Sequence, residues 1–161
     1  MTSSSPQPGS RSTPRRAEAI DLVASTLLGR ANRLIRLLMR TGKHELSRTE
    51  AGVLSTLTEG PRRITELAAT EALAQPTVTQ LVDKLEGRRL VIRGRSGEDG
   101  RVVLVEITPQ GREEFEELRA ELRAIMREAL ADLPDAELTE LVHAADTLGG
   151  LIEKLQPPRD A

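Results

Sequence analysis

The chain has 161 residues, 38% of them apolar, and a net charge of −2; this suits one domain with a single sizeable core and sets aside a multidomain reading. It contains no cysteine, so disulfides, thiolate metal sites, cysteine nucleophiles and thiol redox sensing are excluded by composition. The near-neutral sum conceals a gradient: nine basic and three acidic residues fall in 1–48, eight of each in 49–101, and six basic against fourteen acidic in 102–161.

The opening stretch MTSSSPQPGSRSTPRR is polar and rich in Ser and Pro, with no apolar run behind its charges. It is expected to be a disordered arm over 1–15, rather than a secretory signal. No stretch approaches the roughly 18 apolar residues of a membrane span, so no membrane association is expected and a cytoplasmic protein is the default. AEAIDLVASTLLGRANRLIRLLMR then places Ile20, Val23, Leu27, Ala31, Leu34, Ile35 and Leu38 at three- and four-residue spacings, which predicts an amphipathic helix. Arg30, Arg33, Arg36 and Arg40 fall on its other face, either as a solvated stripe or as a contact to an acidic partner or DNA backbone.

In LSRTEAGVLSTL, Ser47 and Glu50 form a capping box that starts a helix, and Glu59-Gly60-Pro61 stops it. ITELAATEAL predicts a short helix with Ile64, Leu67 and Ala68 turned inward and Leu73 as a further candidate. AQPTVTQLVDKLEGRR follows, with Pro76 in a first helical turn and Val78, Leu81, Val82 and Leu85 as one apolar stripe. Off that stripe lie Gln75, Thr77, Thr79, Gln80, Asp83 and Lys84. Gln and Thr are mediocre helix formers but can hydrogen-bond base edges, so this start hints at a reading face; ordinary surface residues are the plainer explanation.

LVIR (Leu90 to Arg93) and RVVLVEI (Arg101 to Ile107) read as strands, with GRSGEDG between them as a hairpin loop. Two short helices followed at once by a hairpin with a basic, glycine-bearing tip form the layout of a winged helix. In that layout the second helix enters a major groove, and the wing follows the backbone or dips into the neighbouring minor groove. Asp99 and Arg101 stand two residues apart. They are either a surface ion pair of little worth, or a carboxylate that orients Arg95 or Arg101 towards DNA.

TPQGREEFEELRAELRAIMREALADL is capped at Thr108, with Pro109 first in the helix and Phe115, Leu118, Leu122, Ile125, Met126 and Leu130 on one side. After Pro134, DAELTELVHAADTLGGLIEKL predicts a last amphipathic helix through Leu138, Leu141, Val142, Ala145, Leu148, Ile152 and Leu155. These flanking helices carry more apolar surface than one compact protomer needs, and such helices pack against a second copy.

The run LSRTEAGVL, ITELA, QPTVTQLVDKLE, LVIR, Asp99-Gly100-Arg101 and EITPQGRE, from about Leu46 to Glu114, resembles the multiple-antibiotic-resistance regulator (MarR) family of winged-helix transcription factors. Each piece alone is common; the order and spacing are specific. The resemblance implies a mainly α fold with a small β-hairpin wing: a winged helix-turn-helix lobe over 45–108, a dimerisation helix over 16–44, dimerisation helices over 109–156 and a tail over 157–161. It implies a homodimeric repressor on a palindromic double-stranded DNA operator, released by a small-molecule effector. Carried over residue by residue, Gln75, Thr77, Thr79, Gln80 and Lys84 face DNA from a helix spanning Gln75 to Glu86, and Arg95, Asp99 and Arg101 belong to the wing. Three positions depart from the pattern: Arg89 where glycine is usual, Gly100 inside the wing signature where a basic residue is common, and Ala74 in place of a Ser or Thr cap.

An enzyme is not expected, because His44 and His143 lie in separate segments without a nucleophile or phosphate loop nearby. No metal or cofactor is expected. A winged helix devoted to protein contacts is an alternative, favoured by the neutral middle segment. With one Phe and no Trp or Tyr, an effector pocket would be aliphatic, and Arg30 or Arg33 would meet an anionic effector. A regulator without any small ligand is also open.

Overall fold

A computed structural model describes residues 15–95 and 103–155, with backbone alone at Arg95. The expected arm before Arg15, Asp99 and Arg101 of the wing tip, and the tail after Leu155 lie outside the described residues. The chain forms two compact units, one ending at Arg40 and the other beginning at Thr41.

The first unit is helix α1, Arg16–Thr41, which runs into the start of the second. The Arg15 amide donates to Glu18 Oε2 at 3.0 Å, satisfying a helix-end donor. Glu18 in the first turn and Arg40 in the last complement the helix dipole. None of its residues is buried, and Ile20, Val23, Leu34 and Ile35 of the predicted stripe are exposed.

The second unit contains α2 (Arg48–Thr58), α3 (Ile64–Thr70), α4 (Gln75–Gly87), β1 (Val91–Arg95), β2 (Val103–Ile107), α5 (Pro109–Leu130) and α6 (Asp135–Leu155). The Ser47–Glu50 capping box forms as expected: Glu50 N–H donates to Ser47 Oγ at 3.3 Å, and Ser47 N–H donates to Glu50 Oε2 at 2.7 Å. Gly60 follows α2 at φ 141, a conformation that L side chains rarely adopt. The strands pair antiparallel, with Val91 opposite Ile107 and Arg95 opposite Val103.

Within 45–108, two boundaries differ from the sequence expectation by more than one residue. Gly94 and Arg95, assigned above to the loop, belong to β1 and pair with Leu104 and Val103; ladder bonds to a Val- and Leu-rich partner outweigh the poor strand preference of glycine. Helix α3 ends at Thr70 rather than running on to Leu73, because Ala72 adopts φ 51. Its amide donates to Ala69 O and that of Leu73 to Ala68 O, so the chain closes the helix and turns into α4.

Arg62 adds a pairing that periodicity does not reveal. Its amide donates to Val105 O at 3.0 Å and its carbonyl accepts from Val105 N–H at 2.8 Å, which fastens the α2–α3 connection to the outer edge of β2. The core gathers beneath these elements from Leu46, Val53, Leu54, Leu57, Leu67, Val78, Val82, Leu85, Leu90, Val91, Val105, Ile107, Phe115 and Leu118. Each such side chain contributes roughly 1.5–3 kcal/mol on leaving water. Helix α5 buries only Gly111, Phe115 and Leu118, all in its first half, and α6 buries nothing.

Candidate nucleic-acid interface

Helix α4 is set on this core by Val78, Val82 and Leu85. With those three inward, Gln75, Thr77, Gln80, Asp83 and Lys84 are exposed and Thr79 is half-buried. Ala74 occupies the N-cap without a side-chain bond, so the first amides of α4 are left without the cap a Ser or Thr would supply. The Thr79 hydroxyl donates to Gln75 O at 3.0 Å, which leaves its oxygen able to act as an acceptor. The first half of the helix thus offers an uncharged, hydrogen-bonding surface.

Gly52 of α2 faces the Glu71 side chain at the end of α3. A Cβ there would stand 2.3 Å from Glu71 Oε2, and Glu71 in turn accepts from Thr56 Oγ1 at 2.8 Å. A glycine on α2 therefore makes room for the carboxylate that follows α3.

The second half of α4 is held by charges. Glu50 is fully buried; its Oε1 lies 2.9 Å from Lys84 Nζ, an ion pair rather than a well-directed hydrogen bond, and 3.8 Å from Arg88 Nη1. Burial pushes the Glu50 carboxyl up, but the hydrogen bonds of Ser47 and the ammonium of Lys84 together hold it below the ordinary glutamate value. Arg88, the C-cap of α4, also bonds Glu114 of α5 and approaches Glu45 at 3.7 Å. Lys84, expected above to face DNA, is therefore engaged by α2, while its side chain remains 61% exposed.

Helix α4 closes with the left-handed turn that glycine usually supplies. Arg89 takes that place at φ 62; its amide donates to Glu86 O and that of Leu90 to Leu85 O. The turn is then pinned from α5. Thr108 Oγ1 donates to Arg89 O at 2.7 Å and accepts from Gly111 N–H at 2.9 Å, while Thr108 N–H donates to Leu90 O. A Cβ on Gly111 would stand 2.0 Å from Leu90 O, so only glycine lets α5 start this close to the end of α4. From β1, Arg93 reaches back to α4: Nη2 lies 2.6 Å from Asp83 Oδ1, Nη1 bonds Glu86, and its amide donates to Glu86 Oε1 at 3.2 Å. Burial works against the guanidinium charge, and these two carboxylates outweigh it.

Gln75, Thr77, Thr79, Gln80 and Lys84 thus share one helix, and the strand backbone at Arg95 stands at the base of the wing. Arg30 and Arg33 are exposed on α1. Sequence reasoning found the capping role of Glu50 but missed its ion pair with Lys84, and it missed the roles of Gly52, Arg93 and Gly111. Among the described residues no group of three or more His, Asp or Glu is placed to hold a metal ion, and no helix is long and apolar enough to cross a membrane. His44 Nδ1 lies 2.9 Å from Leu46 O, and His143 is exposed on α6.

Residues 38–118, about half of the chain, match the family described as transcriptional regulator SarA/Rot. The HTH-type transcriptional repressor MdtR of Bacillus subtilis is 30% identical over 102 residues, 63% of this chain and 66% of that protein, just short of two thirds of its length. The crystal structure of the transcriptional regulator BldR from Sulfolobus solfataricus is 31% identical and superposes with a TM-score of 0.65 over 85% of this chain and 99% of that one. A MarR family protein from Bacillus stearothermophilus, 22% identical, shares the fold with a TM-score of 0.69 over 87% and 99%. MdtR and BldR are named as regulators of transcription, and the mostly helical fold of this chain, with its two-stranded hairpin, matches MarR-type winged-helix structures. The chain belongs to the MarR/SarA-type family of winged-helix, DNA-binding transcriptional regulators.

Proposed function

We propose that the protein is a homodimeric repressor that reads a palindromic operator with α4 and steadies itself with the wing. The uncharged surface of exposed Gln75, Thr77 and Gln80 with half-buried Thr79, at the start of a helix anchored on three sides, carries this reading. Such residues discriminate base edges, whereas Arg95 and Arg101, with Asp99 orienting them, supply phosphate or minor-groove contacts. Lys84 acts on DNA only so far as it leaves Glu50, and contributes first by positioning the helix. Repression is supported by the likeness to a Bacillus repressor. Dimerisation through 16–44 and 109–156, with 45–108 as the reading lobe, is supported by the uncovered apolar faces of α1 and α6.

A small effector belongs to the same reading. The cleft of about 530 Å3 beside Lys43, His44 and Leu46 is lined by Glu45, Glu113, Glu114, Glu117 and Glu121, which repel an anion. An anionic effector is therefore assigned to Arg30 and Arg33 on α1. The neutral sum over 49–101 favours a second reading, a winged helix that contacts protein.

Fluorescence anisotropy against the upstream intergenic DNA and an unrelated duplex of equal length, at two salt concentrations, separates the two. The repressor reading predicts preference for the upstream DNA and affinity that falls with salt. It also predicts that Arg101→Ala weakens binding by about tenfold or more, since a hydrogen bond to a charged group is worth about 1.5–3 kcal/mol. Unchanged affinity in Arg101→Ala would remove the wing from the account, and equal weak binding to both duplexes would favour protein contacts.

A further inference from the structure

The two carboxylates of α4, Asp83 and Glu86, sit one turn apart in its second half, on the helix assigned above to a DNA groove. Their side chains are 58% and 39% exposed. The cation between them in sequence, Lys84, is drawn off by buried Glu50, so it does little to offset them. A duplex carries one negative charge for about every 1.7 Å of its axis, and bare carboxylates on a reading helix would be repelled by it. One side chain bridges both: Arg93 bonds Asp83 with one guanidinium nitrogen and Glu86 with the other, while its own amide donates to Glu86. A planar guanidinium suits this double bond in a way that an ammonium does not.

We propose that Arg93 is a positioning residue for DNA recognition, which masks the Asp83 and Glu86 carboxylates from the phosphates. The inference rests on α4 being that helix. Arg93 acts here through α4, and no contact of its own with DNA is required. Because half-exposed ion pairs add little to folding, the effect falls on binding far more than on stability.

The test compares the full-length wild type with Arg93→Gln, with Asp83→Asn/Glu86→Gln, and with the triple variant combining all three. Binding to the upstream duplex is measured at low and high salt, with circular dichroism and urea unfolding as controls for folding. Arg93→Gln is expected to lose about tenfold in affinity at low salt, with the deficit shrinking as salt screens the repulsion. The triple variant is expected to return to within about twofold of wild type, and Asp83→Asn/Glu86→Gln to bind at least as tightly as wild type. Unchanged binding by Arg93→Gln, or a folded triple variant that does not recover, overturns the proposal. Should Arg93→Gln fail to fold, weaker binding by Asp83→Asn/Glu86→Gln overturns it alone, by showing that the carboxylates themselves serve recognition. Absence of duplex binding by the wild type overturns the reading of α4 and this proposal with it, a result distinct from wild-type binding that Arg93→Gln leaves untouched.

Discussion

From Leu46 to Leu118 the core is filled by the chain's own residues, with Val53, Leu54, Val78, Val82 and Leu85 inaccessible to solvent. On α1 and α6, by contrast, Ile20, Val23, Leu34, Ile35, Leu141, Val142, Leu148 and Ile152 stand exposed. Both regions have amphipathic sequences, yet only one meets its complement within a single chain. Amphipathicity specifies that a face is to be buried and not by what; the lobe answers that locally, whereas the flanking helices require a second copy under the proposed dimer.

The largest expected break in the lobe is Gly111→Ala. The added methyl would meet the Leu90 carbonyl at 2.0 Å, where backbone must move on both sides, so a loss of about 3 kcal/mol or more in urea unfolding is expected. Gly52→Ala is a gentler counterpart, because the atom in its way is the flexible end of Glu71. In the flanking helices, Leu148→Glu/Ile152→Glu is expected to weaken dimerisation by about a hundredfold or more in sedimentation experiments, given roughly 1.5–3 kcal/mol per apolar side chain. The lobe's own core should survive that change, with near-wild-type lobe protection in hydrogen exchange.

Glu50→Gln sharpens the comparison from inside the lobe. The Glu50 carboxyl is depressed in the folded state, so its stabilisation is present above the unfolded value near 4.5 and is lost as pH falls through the lower folded value. Wild type should therefore lose stability on acidification below about pH 4.5, and Glu50→Gln should flatten that part of the profile while costing about 1–2 kcal/mol at neutral pH. The smallest effect has the opposite sign: Arg89→Gly, at φ 62, should raise stability by about 1 kcal/mol in the same unfolding assay.

Local signals proved readable where one stretch of chain contains its own cause. Ser47 with Glu50, Pro76, and Thr108 with Pro109 each mark a helix start that forms as expected, because a cap and its amides lie within three residues. The wing strand was read short at Gly94, since propensity weighs a residue alone and the ladder weighs its partner. Arg62 with Val105, Arg88 with Glu114, and Gly111 against Leu90 join residues far apart in sequence, and no periodicity records such meetings. The polar, uncharged composition of Gln75–Gln80, on which the proposed reading face rests, is visible in the residue types alone. The clamp behind it was not, because Asp83, Glu86 and Arg93 look like ordinary surface charges until the hairpin brings them together.

The most direct test of the whole account is the stoichiometry and footprint of the wild-type protein on its upstream intergenic DNA, by sedimentation of the complex together with nuclease protection. Two chains on one site, protecting two symmetric half-sites about one helical turn apart, are what a dimeric reader with an α4 in each groove predicts. A single chain per site, or protection without symmetry or sequence preference, would contradict it.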